Sequence, residues 1–144
     1  MGARRFNQTF AVLSPREGLT AAVNDRRDAI LAGGFMVPAA ASEALAGEVL
    51  QTRDADDKIN WKISQDAYRD AAAAGAGDMP AATFRTAGNR TITVTIREGL
   101  AVLQAMQVWG VAVLGRSWAL KDAIAATADD AALDAIDIAS GWPG

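Results

Sequence analysis

The sequence contains no cysteine and no histidine. Disulfides, thiol nucleophiles, zinc held by sulfur or imidazole, and Ser-His-Asp machinery are therefore excluded. Aromatic residues are scarce, 6% of 144 residues, although 51% are hydrophobic; alanine supplies much of the remainder. That composition favours close helix packing over a sheet-rich core. Basic charge is also short, with a formal net charge of −3. Such a chain is a poor candidate for sequence-independent nucleic-acid binding, which needs a basic face. Arg4-Arg5 has no apolar stretch behind it, so the start does not read as a secretory signal. There is no phosphate loop, dinucleotide fingerprint or internal repeat. The length suits one domain with a real core.

What is present is organised around residues 91–126. Thr91-Ile92-Thr93-Val94-Thr95 alternates β-branched groups, which predicts a short strand with one buried face. Thr95-Ile96-Arg97-Glu98 is a capping box that starts a helix. No proline follows until Pro143. Leu103, Met106, Gly110, Val113, Ser117, Leu120 and Ile124 recur at spacings of three and four, one helical stripe. Trp109, Leu114 and Trp118 widen it, so the helix is expected to be wrapped on several sides, with Leu103, Trp109 and Trp118 buried. Residues 99–115 carry no charge, and 17 residues is the lower edge of spanning length. Gln104 and Gln107 interrupt the run and no aromatic belt or basic cluster flanks it, so a buried core helix is expected rather than a membrane span.

The rest of the chain reads as follows. Residues 1–13 form an extended arm with Phe6, Phe10, Val12 and Leu13, a candidate for docking onto a partner. Residues 14–144 form one domain. Ser14-Pro15-Arg16-Glu17 starts a helix that stops at Gly33-Gly34, burying Leu19, Val23, Ile30 and Leu31. Phe35-Met36-Val37 and Glu48-Val49-Leu50-Gln51 suggest a loose strand pair. Thr52 or Asp54 caps another helix, with Ile59, Ile63, Ala67 and Ala71 as its apolar stripe. Residues 83–95 read as a hairpin turning at Gly88-Asn89, and Thr127 is a candidate cap for a last helix carrying Leu133, Ile136 and Ile138. The fold class is thus helix-dominated α+β, with about four helices and one or two small β-hairpins.

No pattern marks an enzyme. The cluster Asp54, Asp56, Asp57 and Asn60 lacks the turn glycine and late glutamate of a calcium loop and reads as helix capping. Asp129, Asp130, Asp134 and Asp137 read as a solvated face. Glu98 with Asp122 is one conceivable acid–base pair, and a carboxylate-based glycosidase remains a further alternative, but no local signal picks a pair. Gly115-Arg116-Ser117-Trp118 is half of a nucleophile elbow without its second glycine. No cofactor or metal is implied.

Several segments resemble an uncharacterised domain of bacteriophage tail-fibre and tail-fibre-assembly proteins. They are Arg26-Arg27-Asp28-Ala29-Ile30-Leu31-Ala32-Gly33-Gly34-Phe35, Val49-Leu50-Gln51-Thr52, the hairpin around Phe84, Ala87, Gly88 and Asn89, Ser117-Trp118-Ala119-Leu120-Lys121-Asp122-Ala123-Ile124, and the ending Leu133 to Pro143 with its Gly141-Trp142-Pro143. The stretch Pro38 to Gly47 is longer than the turn that the resemblance implies there. The resemblance implies a non-enzymatic, virion-associated structural protein of the tail tip, baseplate or fibre, made in the host cytoplasm. Its partners would be other virion proteins. The alternative it leaves open is a tail-fibre assembly chaperone absent from the finished particle. It implies no catalytic residues. Apolar surface on the arm and on the stripe of Gly99, Gly110 and Ser117 points to a homo-oligomer, and the resemblance favours a trimer.

Overall fold

The computed structural model describes residues 12–144. Among these residues three α-helices, α1 (Pro15–Ala32), α2 (Ala55–Ala73) and α3 (Ile96–Ala126), are joined by two antiparallel strand pairs and followed by a 3-10 helix, Asp130–Ala135. Strands β1 (Phe35–Met36) and β2 (Val49–Leu50) pair between α1 and α2. Strands β3 (Ala82–Arg85) and β4 (Thr91–Val94) form the hairpin that leads into α3. The expected helix-dominated α+β class is what the chain adopts.

Each helix begins where its cap dictates. The Glu17 amide donates to Ser14 Oγ at 3.2 Å, the Asp57 amide to Asp54 Oδ1 at 2.9 Å, and the Glu98 amide to Thr95 Oγ1 at 3.1 Å. These bonds satisfy amides that the helix itself leaves without partners. In the hairpin, Asn89 takes φ 61°, the left-handed conformation that asparagine tolerates. The β1–β2 connection is a series of turns that sinks Leu45 completely, its amide donating to Ser42 Oγ at 3.1 Å.

Two apolar clusters lie along α3. The larger surrounds Phe84 and gathers Phe35, Val37, Leu45, Leu50, Val94, Ile96, Val102, Leu103 and Met106. Trp61 stacks on Phe84 at 5.9 Å between ring centres, Tyr68 tilts against it at 6.1 Å, and Trp109 meets Phe35 at 5.4 Å. Here α3 approaches β3 so closely that a Cβ on Gly99 would lie 2.5 Å from Ala82 Cβ. The smaller cluster joins Val23 of α1 to Leu120, Ile124 and Leu133, with Leu19, Ile136, Ile138 and Trp142 at its edge. Arg16 closes that end, donating to the Ile124 carbonyl at 2.7 Å and to the Thr127 carbonyl. Arg116 donates to the carbonyls of Asp137 (3.3 Å) and Ser140 (3.0 Å), holding the C-terminal tail against α3.

Three expectations change. First, α2 is rotated from its expected setting: Ile59, Ile63 and Ala67 are exposed, while Gln65 is buried and Trp61 and Tyr68 pack inward. The flat rings of Trp61 and Tyr68 match Phe84, and that aromatic contact outweighs the burial of two isoleucines. Second, Trp118 is 58% exposed, whereas Leu103 is buried and Trp109 half-buried. The elements that reach the second half of α3 bury Val113, Ser117 and Leu120 on its other side. Third, the last helical segment is a 3-10 helix capped by Asp129, not an α-helix from Thr127; the Ala132 amide donates to Asp129 Oδ1 at 2.9 Å. Six residues with one buried side chain, Leu133, cannot propagate a longer helix.

Candidate functional site

Beside the larger cluster α1, α2 and α3 leave an apolar groove of about 330 Å³. Its walls are Leu31 at the end of α1, Trp61 on α2, and Leu103, Met106, Trp109, Val111 and Leu114 on α3. Gly110 opens the α3 wall, since no atom lies within 4 Å of where its Cβ would be. The buried Gln65 amide donates to Gln107 Oε1 at 3.0 Å and ties α2 to α3 across the lining. Trp61 is fixed by donating Nε1 to the Gln51 carbonyl at 2.7 Å. Lys58 and Lys62 bring the charge of the lining, and Lys62 lies 3.6 Å from Asp66.

The lining is chiefly apolar. No carboxylate belongs to it, and its one hydroxyl, on Thr52, donates to the Leu31 carbonyl. Apolar surface of this extent is what a partner covers. It continues past Val111 and Leu114 along the outer side of α3 to Val108 (70% exposed) and Trp118. By length and composition α3 could also cross a membrane, the one such helix among the described residues, although a third of its most apolar window is buried inside the fold.

The sequence candidates fall into place around this surface. Phe6 and Phe10 lie outside the described residues. Val12 and Leu13 are exposed ahead of α1, with Leu13 beside a second, shallow depression between α1 and the end of α3. Gly99 and Ser117, expected on an intersubunit stripe, face their own chain: Gly99 touches β3, and Ser117 is fully buried with its hydroxyl donating to the Leu114 carbonyl at 2.7 Å. Glu98 and Asp122 sit near opposite ends of α3, roughly 36 Å apart along its axis, and cannot share a substrate.

The acidic residues serve local structure. Asp54 caps α2, and Asp57 accepts from the Arg53 guanidinium and amide, which holds its carboxyl below the usual aspartate range. Asp137 is held low chiefly by the Ser140 hydroxyl, then by the Ala139 and Ser140 amides. Asp130 pairs with Arg16 at 3.7 Å. Among the described residues no group of three acidic, cysteine or histidine side chains gathers in a way that could hold a metal. The groove itself was missed in the sequence. Its walls come from segments as far apart as Leu31 and Leu114, and its one trace in the sequence is Val111, an apolar residue off the expected stripe.

Searches of curated proteins and of solved structures gave no match to the chain. Residues 15–139 match a family described as "Domain of unknown function (DUF4376)". That span runs from the first residue of α1 through the 3-10 helix and takes in the buried side chains of both apolar clusters and every wall of the groove. The chain is therefore a member of the DUF4376 family.

Proposed function

We propose that this is a virion-associated structural protein of a tailed bacteriophage, working in the tail tip, baseplate or fibre by protein–protein contact. The observation that carries the contact role is the continuous apolar surface formed by the groove and the outer side of α3. The resemblance to tail-fibre and tail-fibre-assembly domains supplies the setting. A groove walled by two tryptophans, methionine and leucines, with two lysines beside it, suits the apolar face of a protein segment.

Mass spectrometry of purified particles tests this. The expected result is the protein present in stoichiometric amount with other tail proteins. Complete absence from particles that needed it to assemble would replace this reading with that of an assembly chaperone.

A further inference from the structure

Helix α3 carries two seams. The inner one, Leu103, Met106, Gly110, Val113, Ser117 and Leu120, packs mainly within the chain. The outer one runs Gln104, Val108, Val111, Gly115, Trp118 and Asp122, at successive spacings of four, three, four, three and four. A spacing that averages 3.5 residues is the pattern by which one helix packs along another. Val108, Val111 and Trp118 are 70%, 63% and 58% exposed, and the space above Gly115 is open.

We propose that the outer seam binds the same seam of a second copy, the two α3 helices running antiparallel about a twofold axis. Side-chain size selects this arrangement. Centred between Val111 and Gly115, the antiparallel register sets Trp118 against Val108 and Val111 against Gly115, large against small; a parallel pair or trimer sets Trp118 on Trp118 and Gly115 on Gly115. Charge selects it as well. The seam extends back to the exposed Arg97, which pairs in its own chain with the exposed Asp78 at 3.3 Å, and its other end carries the exposed Asp122 with Asp129 just beyond, Asp130 being paired with Arg16. Antiparallel helices bring each Arg97 towards the acidic end of the other copy, whereas parallel helices set Arg97 on Arg97 and Asp122 on Asp122. Between Glu98 and Arg116 the helix has no ionised side chain, and Arg116 is engaged with the C-terminal tail. From Gln104 to Asp122 the seam is about 27 Å long. That is short for a permanent interface, so dissociation on the order of micromolar is expected.

This rests on the reading of the outer side of α3 as a contact surface, and its failure is separable from failure of the virion assignment. Sedimentation of the full chain across the micromolar range should show monomer passing to dimer. Val111→Glu should stay monomeric with an unchanged melting transition. Because the chain has no cysteine, register can be read by oxidising single-cysteine variants: a mixture of Val111→Cys and Gly115→Cys should cross-link, and Val111→Cys alone should not. A chain that stays monomeric throughout, a trimer, Val111→Cys linking to itself, or binding to phosphatidylcholine vesicles without dimer formation would overturn the pairing. A monomer that still enters particles would overturn the pairing alone, and a dimer absent from particles would overturn the virion assignment alone.

Discussion

Around its first half, α3 is enclosed by the β3–β4 hairpin, by α2 and by the β1–β2 pair, whose aromatic residues Phe84, Trp61, Tyr68 and Phe35 pack together there, Phe35 against Trp109 of α3 itself. Around its second half, α1 and the 3-10 helix form a cluster of four buried side chains, Val23, Leu120, Ile124 and Leu133, against the inner seam. Both halves are equally apolar in sequence. What differs is how many elements reach them. The chain concentrates its few aromatic residues where α3 is surrounded, and from about its middle onward the open side of α3 carries Val108, Val111, Leu114 and Trp118 outward. Hydrophobic pattern alone does not tell a buried helix from one that reserves a face for a partner; the number of covering elements does.

The largest expected effects come from the enclosed half. Phe84 has no exposed surface and two aromatic neighbours, so Phe84→Ala should cost about 3–5 kcal/mol in denaturant unfolding. Val23→Ala in the smaller cluster removes less and should cost about 2 kcal/mol. Equal losses would erase the distinction between the clusters.

Two glycines of the same helix sharpen it further. Replacing a glycine inside a helix with alanine ordinarily stabilises by about 1 kcal/mol. At Gly110, where the space is open, Gly110→Ala should show that gain as a raised melting temperature. At Gly99 the new methyl would press on Ala82 and Phe84, so Gly99→Ala should be destabilising, by about 1–2 kcal/mol after the propensity gain. Gains at both positions would mean that β3 is not held tightly against α3.

A smaller effect is expected from pH at the open end. The Asp137 carboxyl is lowered below the ordinary 3.8 by hydrogen bonds from Ser140 and the Ala139 amide. A lowered folded value means stability that is present above the unfolded value and lost as pH falls through the folded one. The parent chain should therefore lose stability as pH drops below about 4. Asp137→Asn should weaken less over the same range. An identical acid profile would show that the hydrogen bonds to the Asp137 carboxylate contribute nothing to folding.

Much of this was legible in the sequence. Ser14, Asp54 and Thr95 announced the helix starts, because a cap is a local hydrogen bond written in three or four residues. The β3–β4 hairpin was legible through Asn89 and the flanking β-branched residues. The facing of α2 was not: its isoleucines look more apolar than Trp61, Gln65 and Tyr68, yet the partner surface is the ring of Phe84, contributed from about 20 residues downstream. The exposure of Trp118 is not legible for a related reason, since a large apolar side chain signals burial without saying whose surface buries it. The groove depended on three elements meeting, which no local window contains.

The central claim is that α3 uses one seam to fold and leaves the other for contact. Val113 and Val111, two residues apart, are the sharpest pair, with Val113 fully buried and Val111 63% exposed. The most direct measurement is the unfolding free energy of Val113→Asp beside that of Val111→Asp, both under conditions where the chain is monomeric. The expected result is a loss of about 4 kcal/mol or more at Val113, where a carboxylate would be buried without a partner, and a change within about 0.5 kcal/mol at Val111. Comparable losses at both positions would contradict the claim, because the outer seam would then be part of the folded core.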